Sequence, residues 1–126
     1  MLPHKPEDWP GLFKRHLNAG DLEMVVAWYE PDARFVSPSG ETIVGCDRIR
    51  QVLAGMIGTN TRLQSRVVAA VTVDDIALQC TDFQGAKVDT SGKTVEIRHK
   101  AIEVLRRQSD RTWKLIVGDP DGRANS

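Results

Sequence analysis

The sequence predicts an α+β domain, with three N-terminal helices packed on one face of a strongly curved, mainly antiparallel sheet. Two observations carry that expectation. Apolar residues recur at helical spacing through the first half, and from Leu63 onward the period switches to two. Helices followed by an antiparallel meander is an α+β order. Strands this long in a chain of 126 residues must bend or twist strongly. A bent sheet with helices across its concave side encloses a cone whose bottom is a natural apolar pocket.

The elements follow in order. Trp9, Leu12, Phe13 and Leu17 form one apolar stripe from about Pro6 to Ala19. Gly20 suits a left-handed helix stop, and Asp21 can cap the next helix. That helix is short: Leu22, Val25, Val26 and Tyr29 form its inward face, and Pro31 ends it. A strand from Ala33 to Val36 leads into the turn Ser37-Pro38-Ser39-Gly40, and Thr42 to Val44 forms another before Gly45. Ile49, Val52, Leu53, Met56 and Ile57 then mark the third helix, which ends near Gly55 and Gly58.

Leu63, Ser65, Val67, Ala69, Val71 and Val73 alternate along the first long strand, and Asp74-Asp75 turns the chain. The second runs from Ile76 to Asp89, with Gly85 expected at a bulge or bend. Ser91-Gly92 leads into the third, Thr94 to Arg106, and Ser109-Asp110 into the last, Thr112 to Asp119, where Pro120 stops pairing. One domain is expected over residues 1–126, with its core at about 6–120 and a loose polar tail at 121–126.

Composition narrows the function. Hydrophobic residues make up 40% and charged residues 27%, values of a folded globule. With 17 Lys+Arg against 17 Asp+Glu, no global field gathers nucleic acid or an anionic membrane. No apolar run is long enough to span a bilayer, and Met1 to Pro6 lacks the apolar centre of a secretion signal. Cys46 and Cys80 lack CxxC spacing and suit a reducing compartment, so a cytoplasmic location is expected. His4, His16 and His99 show no ligand spacing, so neither a metal nor another cofactor is expected.

The third long strand carries the chemistry. Its odd positions, Val95, Ile97, His99, Ala101, Glu103 and Leu105, form an apolar face broken only by His99 and Glu103. Four residues apart on a strand, their Cα atoms stand about 13 Å from each other, enough to reach two ends of one small ligand. A carboxyl group on an apolar wall has a raised pKa, which suits Glu103 to donate or shuttle a proton. The imidazole of His99 can serve as base or hydrogen-bond donor. Structural roles are equally open, with Glu103 paired to an arginine and His99 bonded to a backbone group. Phe13, Tyr29, Met56 and Trp113 are candidate pocket walls, and Ser37 is a candidate polar group at the mouth. Cys46 opens a helix but has no visible base, so inert packing is expected.

The run Leu17-Asn18-Ala19-Gly20-Asp21-Leu22, and then Trp28-Tyr29-Glu30-Pro31-Asp32-Ala33-Arg34-Phe35-Val36, resembles the opening of nuclear transport factor two-like domains. More narrowly it resembles their ketosteroid isomerase-like and SnoaL-like bacterial members. Ser39-Gly40, Gly45-Cys46-Asp47-Arg48-Ile49-Arg50, Glu103-Val104-Leu105-Arg106-Arg107-Gln108 and Trp113-Lys114-Leu115-Ile116-Val117 extend the likeness from about Pro6 to Pro120. It implies a cone-shaped, cystatin-like α+β roll. The chemistry stays open, because this fold hosts isomerases, cyclases, dehydratases and binding modules.

Ketosteroid isomerases use a base, a phenol and a protonated carboxylic acid. Where the resemblance places the base, before a proline, this chain has Ser37; where it places the phenol it has Phe13. Only the acid has a counterpart, Glu103, so steroid isomerisation by that mechanism is not expected. SnoaL-like cyclases use a histidine and an aspartate on their last two strands, where this chain has His99 and Asp119. Asp119 is expected on the face of Trp113, Leu115 and Val117, although an Asp-Pro pair also serves as a plain turn. Two functions remain: cofactor-independent acid–base catalysis on a small apolar carbonyl compound, or a non-catalytic ligand-binding or dimerisation module. The resemblance also implies a homodimer, through the convex sheet face that carries Arg98, Lys100 and Val104.

Overall fold

The computed structural model describes residues 4–37 and 39–123. Met1, Leu2 and Pro3 of the leader reading, Pro38 of the predicted turn and residues 124–126 of the predicted tail lie outside them. A 3-10 turn, Pro6–Asp8, precedes helix α1, Trp9–Asn18, which buries Trp9, Phe13 and Leu17 on one side. Gly20 reverses the chain at a φ of 74°. Asp21 then caps α2, Leu22–Val26, by accepting the Met24 N–H at 3.3 Å.

Strand β1, Tyr29–Val36, starts where the helical pattern predicted more helix. α2 ends at Val26, so Tyr29 and Pro31 belong to the sheet. Tyr29 pairs with Leu115, and Pro31 falls in the irregular stretch between Tyr29 and Arg34, where a missing N–H does no harm. Next come β2, Thr42–Val44, and α3, Cys46–Gly58, which buries Ile49 and Leu53. The long strands are β3, Arg62–Val73, β4, Ile76–Val88, and β5, Thr94–Arg107, followed by β6, Trp113–Asp119.

The curved sheet has six strands in the order β2-β1-β6-β5-β4-β3, antiparallel except where β1 meets β6. One core joins the helices to a single sheet face: Trp9, Phe13, Leu17, Val25, Ile49 and Leu53 pack with Phe83, Ala101, Leu105 and Leu115.

Two irregularities decide which side chains look inward. β5 pairs with β4 without a register shift from Thr94 to Arg106, so its odd face stays on the core side throughout. In β3, by contrast, the pairing slips between Val67 and Ala69. Leu63, Ser65 and Val67 sit opposite Gly85, Phe83 and Thr81, whereas Ala69, Val71 and Val73 sit opposite Cys80, Leu78 and Ile76. The single alternating face predicted for this strand is therefore split, and its second half turns Val71 and Val73 to solvent.

A second slip lies in β6: Leu115 pairs with Leu105, but Val117 already pairs with Val104. Asp119 consequently shares the face of Val117 and Ile102, opposite to that of Leu115. Gly85 carries no slip. Its role is close approach, since a Cβ there would stand 1.8 Å from the Arg62 carbonyl oxygen. The tail prediction also fails for residues 121–123. The Arg123 N–H donates to the Lys100 carbonyl at 3.0 Å, which ties the turn after β6 to β5.

Candidate functional site

Between the helices and the inner sheet face lies a mostly apolar cavity of about 370 Å³. Its wall includes Phe13 from α1, Tyr29 from β1, Met56 from α3, Phe83 from β4, and His99 and Glu103 from β5. The uninterrupted β4–β5 ladder puts both polar β5 residues on this wall, because any slip between them would send one outward.

Glu103 is 4% exposed. Its Oε1 accepts hydrogen bonds from Thr81 Oγ1 at 2.7 Å and from Gln79 Nε2 at 3.1 Å, and both donors come from the adjacent strand β4. Burial pushes its carboxyl group up to about 7, against the opposing pull of those two donors and of the Arg123 charge. The group therefore exchanges its proton near neutrality, as a general acid or base requires. Both bonds go to one oxygen, so Oε2 lies outside them. The expected arginine partner is not what holds Glu103: Arg106 meets Glu30 at 3.2 Å, and Arg98 meets Glu96 at 2.8 Å.

Tyr29 is as buried as Glu103, and its ring packs edge-on against Trp9 and Phe13. Burial and the neighbouring Glu103 charge hold the phenol above its ordinary range, so it stays a protonated donor. The cavity thus has a phenol, brought in by β1 rather than by α1.

His99 meets a residue of the predicted tail. Its Nδ1 lies 3.0 Å from Asp121 Oδ1. With Nδ1–H donating to that carboxylate, Nε2 keeps its lone pair and becomes the basic nitrogen. Asp121 reaches this place because Asp119-Pro120-Asp121-Gly122 folds back onto β5. Asp119 accepts the Asp121 N–H at 3.2 Å, and a Cβ on Gly122 would stand 2.8 Å from Ile102 Cδ1. Glycine lets the chain lie this close to the sheet without displacing the Ile102 side chain.

Asp119 borders the cavity at the end of β6, but its side chain is on the other sheet face and ties the turn; the acid that meets His99 is Asp121. Phe13, Tyr29 and Met56 line the cavity. Trp113 does not: it starts β6 beside Arg107 and faces a surface depression with Pro6 and Thr72. Ser37 does not either, because its hydroxyl is taken up by Ser39 Oγ at 2.9 Å and the Glu41 N–H at 3.2 Å. The Cys46 thiol donates to the Glu30 carbonyl at 3.2 Å, and burial pushes its pKa up, away from a reactive thiolate.

Among the described residues no three His, Cys, Asp or Glu side chains converge so as to hold a metal ion. No helix among them is long and apolar enough to cross a membrane.

Comparison with known proteins agrees with this architecture. A ketosteroid isomerase-like protein from Erwinia carotovora atroseptica superposes with a TM-score of 0.78 at 19% identity, over 90% of this chain and 89% of that one. A candidate scytalone dehydratase from Novosphingobium aromaticivorans gives 0.79 at 17% identity, over 90% and 78%. A Nostoc punctiforme domain of unknown function with a cystatin-like fold gives 0.74 at 17% identity, over 91% and 73%. At these identities the likeness establishes the fold alone. No curated protein matches the sequence. The SnoaL-like domain matches residues 12–115, most of the chain, and the chain therefore belongs to the SnoaL-like domain family.

Proposed function

We propose that this protein is a small-molecule pocket enzyme that moves protons on a small, largely apolar carbonyl compound without a cofactor. The observation that carries this reading is that the His99–Asp121 pair and the near-neutral Glu103 share the wall of one apolar cavity. Each role follows from chemistry on that wall. His99 Nε2, oriented by Asp121, takes a proton from a carbon activated by the carbonyl. The electron pair moves toward the carbonyl oxygen, where the Tyr29 hydroxyl and protonated Glu103 donate hydrogen bonds. Return of that proton from His99 to another carbon gives isomerisation, and its transfer to a β-hydroxyl, whose C–O bond then breaks, releases water and gives dehydration.

The test is deuterium uptake. Wild-type protein is incubated in D2O with a panel of cyclic β,γ-unsaturated ketones and β-hydroxy ketones, and exchange is followed by NMR. The reading expects exchange on at least one member, reduced about 10²-fold or more by His99→Ala and by Glu103→Gln. Tight binding of a panel member with no exchange in the wild type would favour the non-catalytic alternative, a ligand-binding module of the same fold.

The assembly we propose is a homodimer through the convex sheet face. The slip in β3 aligns Val71 with Leu78, Val104 and Val117 across that face, and Val71 and Leu78 are exposed. Arg98 and Lys100 flank this apolar row on β5. Both cysteines are free thiols, in keeping with a reducing, cytoplasmic compartment.

A further inference from the structure

Arg123 makes an unusually complete set of bonds for a residue beyond the last strand. Its Nε donates to the Ala101 carbonyl at 3.1 Å. Its Nη2 donates to the Thr81 carbonyl at 3.1 Å and to Asp82 Oδ1 at 2.8 Å. With the main-chain bond to Lys100, these contacts pin the end of the turn to both β4 and β5. Asp121 stands only two residues earlier, between this anchor and the Asp119 tie. Thr81 and Ala101, whose carbonyls seat the guanidinium, form the rung two residues along from Gln79–Glu103, the next one on the same sheet face. One side chain therefore touches the supports of both proton-handling groups.

We propose that Arg123 is a positioning residue: its guanidinium locks the turn so that Asp121 holds the His99 ring. The same guanidinium bonds the carbonyl of Thr81, whose hydroxyl donates to Glu103, which brings its positive charge near that carboxyl group as well. This inference rests on the acid–base reading of the cavity. It goes beyond that reading by assigning the pairing of His99 with Asp121 to a residue that need not touch the ligand.

The geometry separates two functions of one side chain. Orientation of His99 needs the planar fork, with its three seats on Ala101, Thr81 and Asp82. The action on Glu103 needs only a cation. Lysine keeps the charge and loses the fork, while glutamine loses both. The groups that face Glu103 are Gln79 and Thr81 from β4, Tyr29 from β1 and the Arg123 cation. No other charge needs to change for its titration to respond.

The test uses the full chain labelled with 15N-histidine and 13C-glutamate. In the wild type, the His99 ring is expected as the Nδ1–H tautomer. Arg123→Gln and Asp82→Asn should each shift His99 toward the Nε2–H tautomer, because the first removes the guanidinium's bonds and the second weakens its seat by taking away the opposing charge. In Arg123→Gln, the Glu103 carboxyl midpoint should also move to higher pH, because a favourable charge is gone. In Arg123→Lys that midpoint should stay near the wild-type value while the His99 tautomer still shifts. Asp82→Asn and Arg123→Lys keep the question decidable if Arg123→Gln folds poorly. A His99 tautomer unchanged in Arg123→Gln and Asp82→Asn would overturn the inference and leave the site reading standing. A wild-type His99 already in the Nε2–H form would instead overturn the site reading on which the inference rests.

Discussion

A buried carboxyl group with a raised pKa makes the protein less stable in base, and Glu103→Gln measures by how much. In the folded chain the group titrates at about 7 against an ordinary value of 4.5. At about 1.36 kcal/mol for each pH unit, that displacement is worth about 3 kcal/mol. The folded state holds this proton more tightly than the unfolded state, so stability is greatest below the unfolded value and falls as pH rises. The loss begins near 4.5 and is complete above about 7.

Gln at this position keeps an amide oxygen for the Thr81 and Gln79 donors but cannot ionise. The assay is urea unfolding of wild type and variant at intervals from pH 4.5 to 8.5. The wild-type unfolding free energy, minus that of the variant, should fall by about 3 kcal/mol across the range, with most of the fall below pH 7. Parallel curves would refute the argument, because they would mean that Glu103 is no harder to ionise in the fold than in the open chain.

Three further outcomes follow from the same geometry. Asp121→Asn should lower deuterium exchange on an accepted ketone about 10²-fold or more with little change in KM, because the amide cannot stabilise a protonated His99. Gly85→Ala should lower stability by about 1–3 kcal/mol in urea unfolding, since the new methyl meets rigid backbone at Arg62 rather than a side chain that can yield. Leu78→Glu should convert a dimer to a monomer in light scattering, because it puts a charge in the middle of the apolar row on the convex face.

The parts of the site that were legible in the sequence are those on β5. Its ladder with β4 has no slip, so simple alternation correctly puts His99 and Glu103 on the core side. The same alternation fails on β3 and β6, where each slip adds a residue that no side chain announces. For that reason Val71 and Val73 turn outward and Asp119 leaves the face of Leu115. Leu22, Val25, Val26 and Tyr29 have helical spacing, which predicts a helix through Tyr29. Pairing with Leu115 on β6 overrides that local pattern after Val26.

Asp121 was hidden for a different reason. A polar stretch after a Pro looks like a tail, and the Pro-Asp-Gly turn that folds it back has meaning only once Arg123 is seen bonded to Thr81, Ala101 and Asp82. Gln79 and Thr81 could have been found from the sequence. They alternate with Ala77 and Phe83 on a strand facing β5, and polar residues on so apolar a face imply a buried polar partner.

The proposed chemistry depends on a carboxyl group inside the cavity that exchanges its proton near neutral pH. A 13C NMR titration of the Glu103 side-chain carboxyl in the intact protein measures that exchange. A midpoint near 7 is the result predicted here. A midpoint at the ordinary value of 4.5 would mean that the group is solvated and that the cavity has no acid to offer.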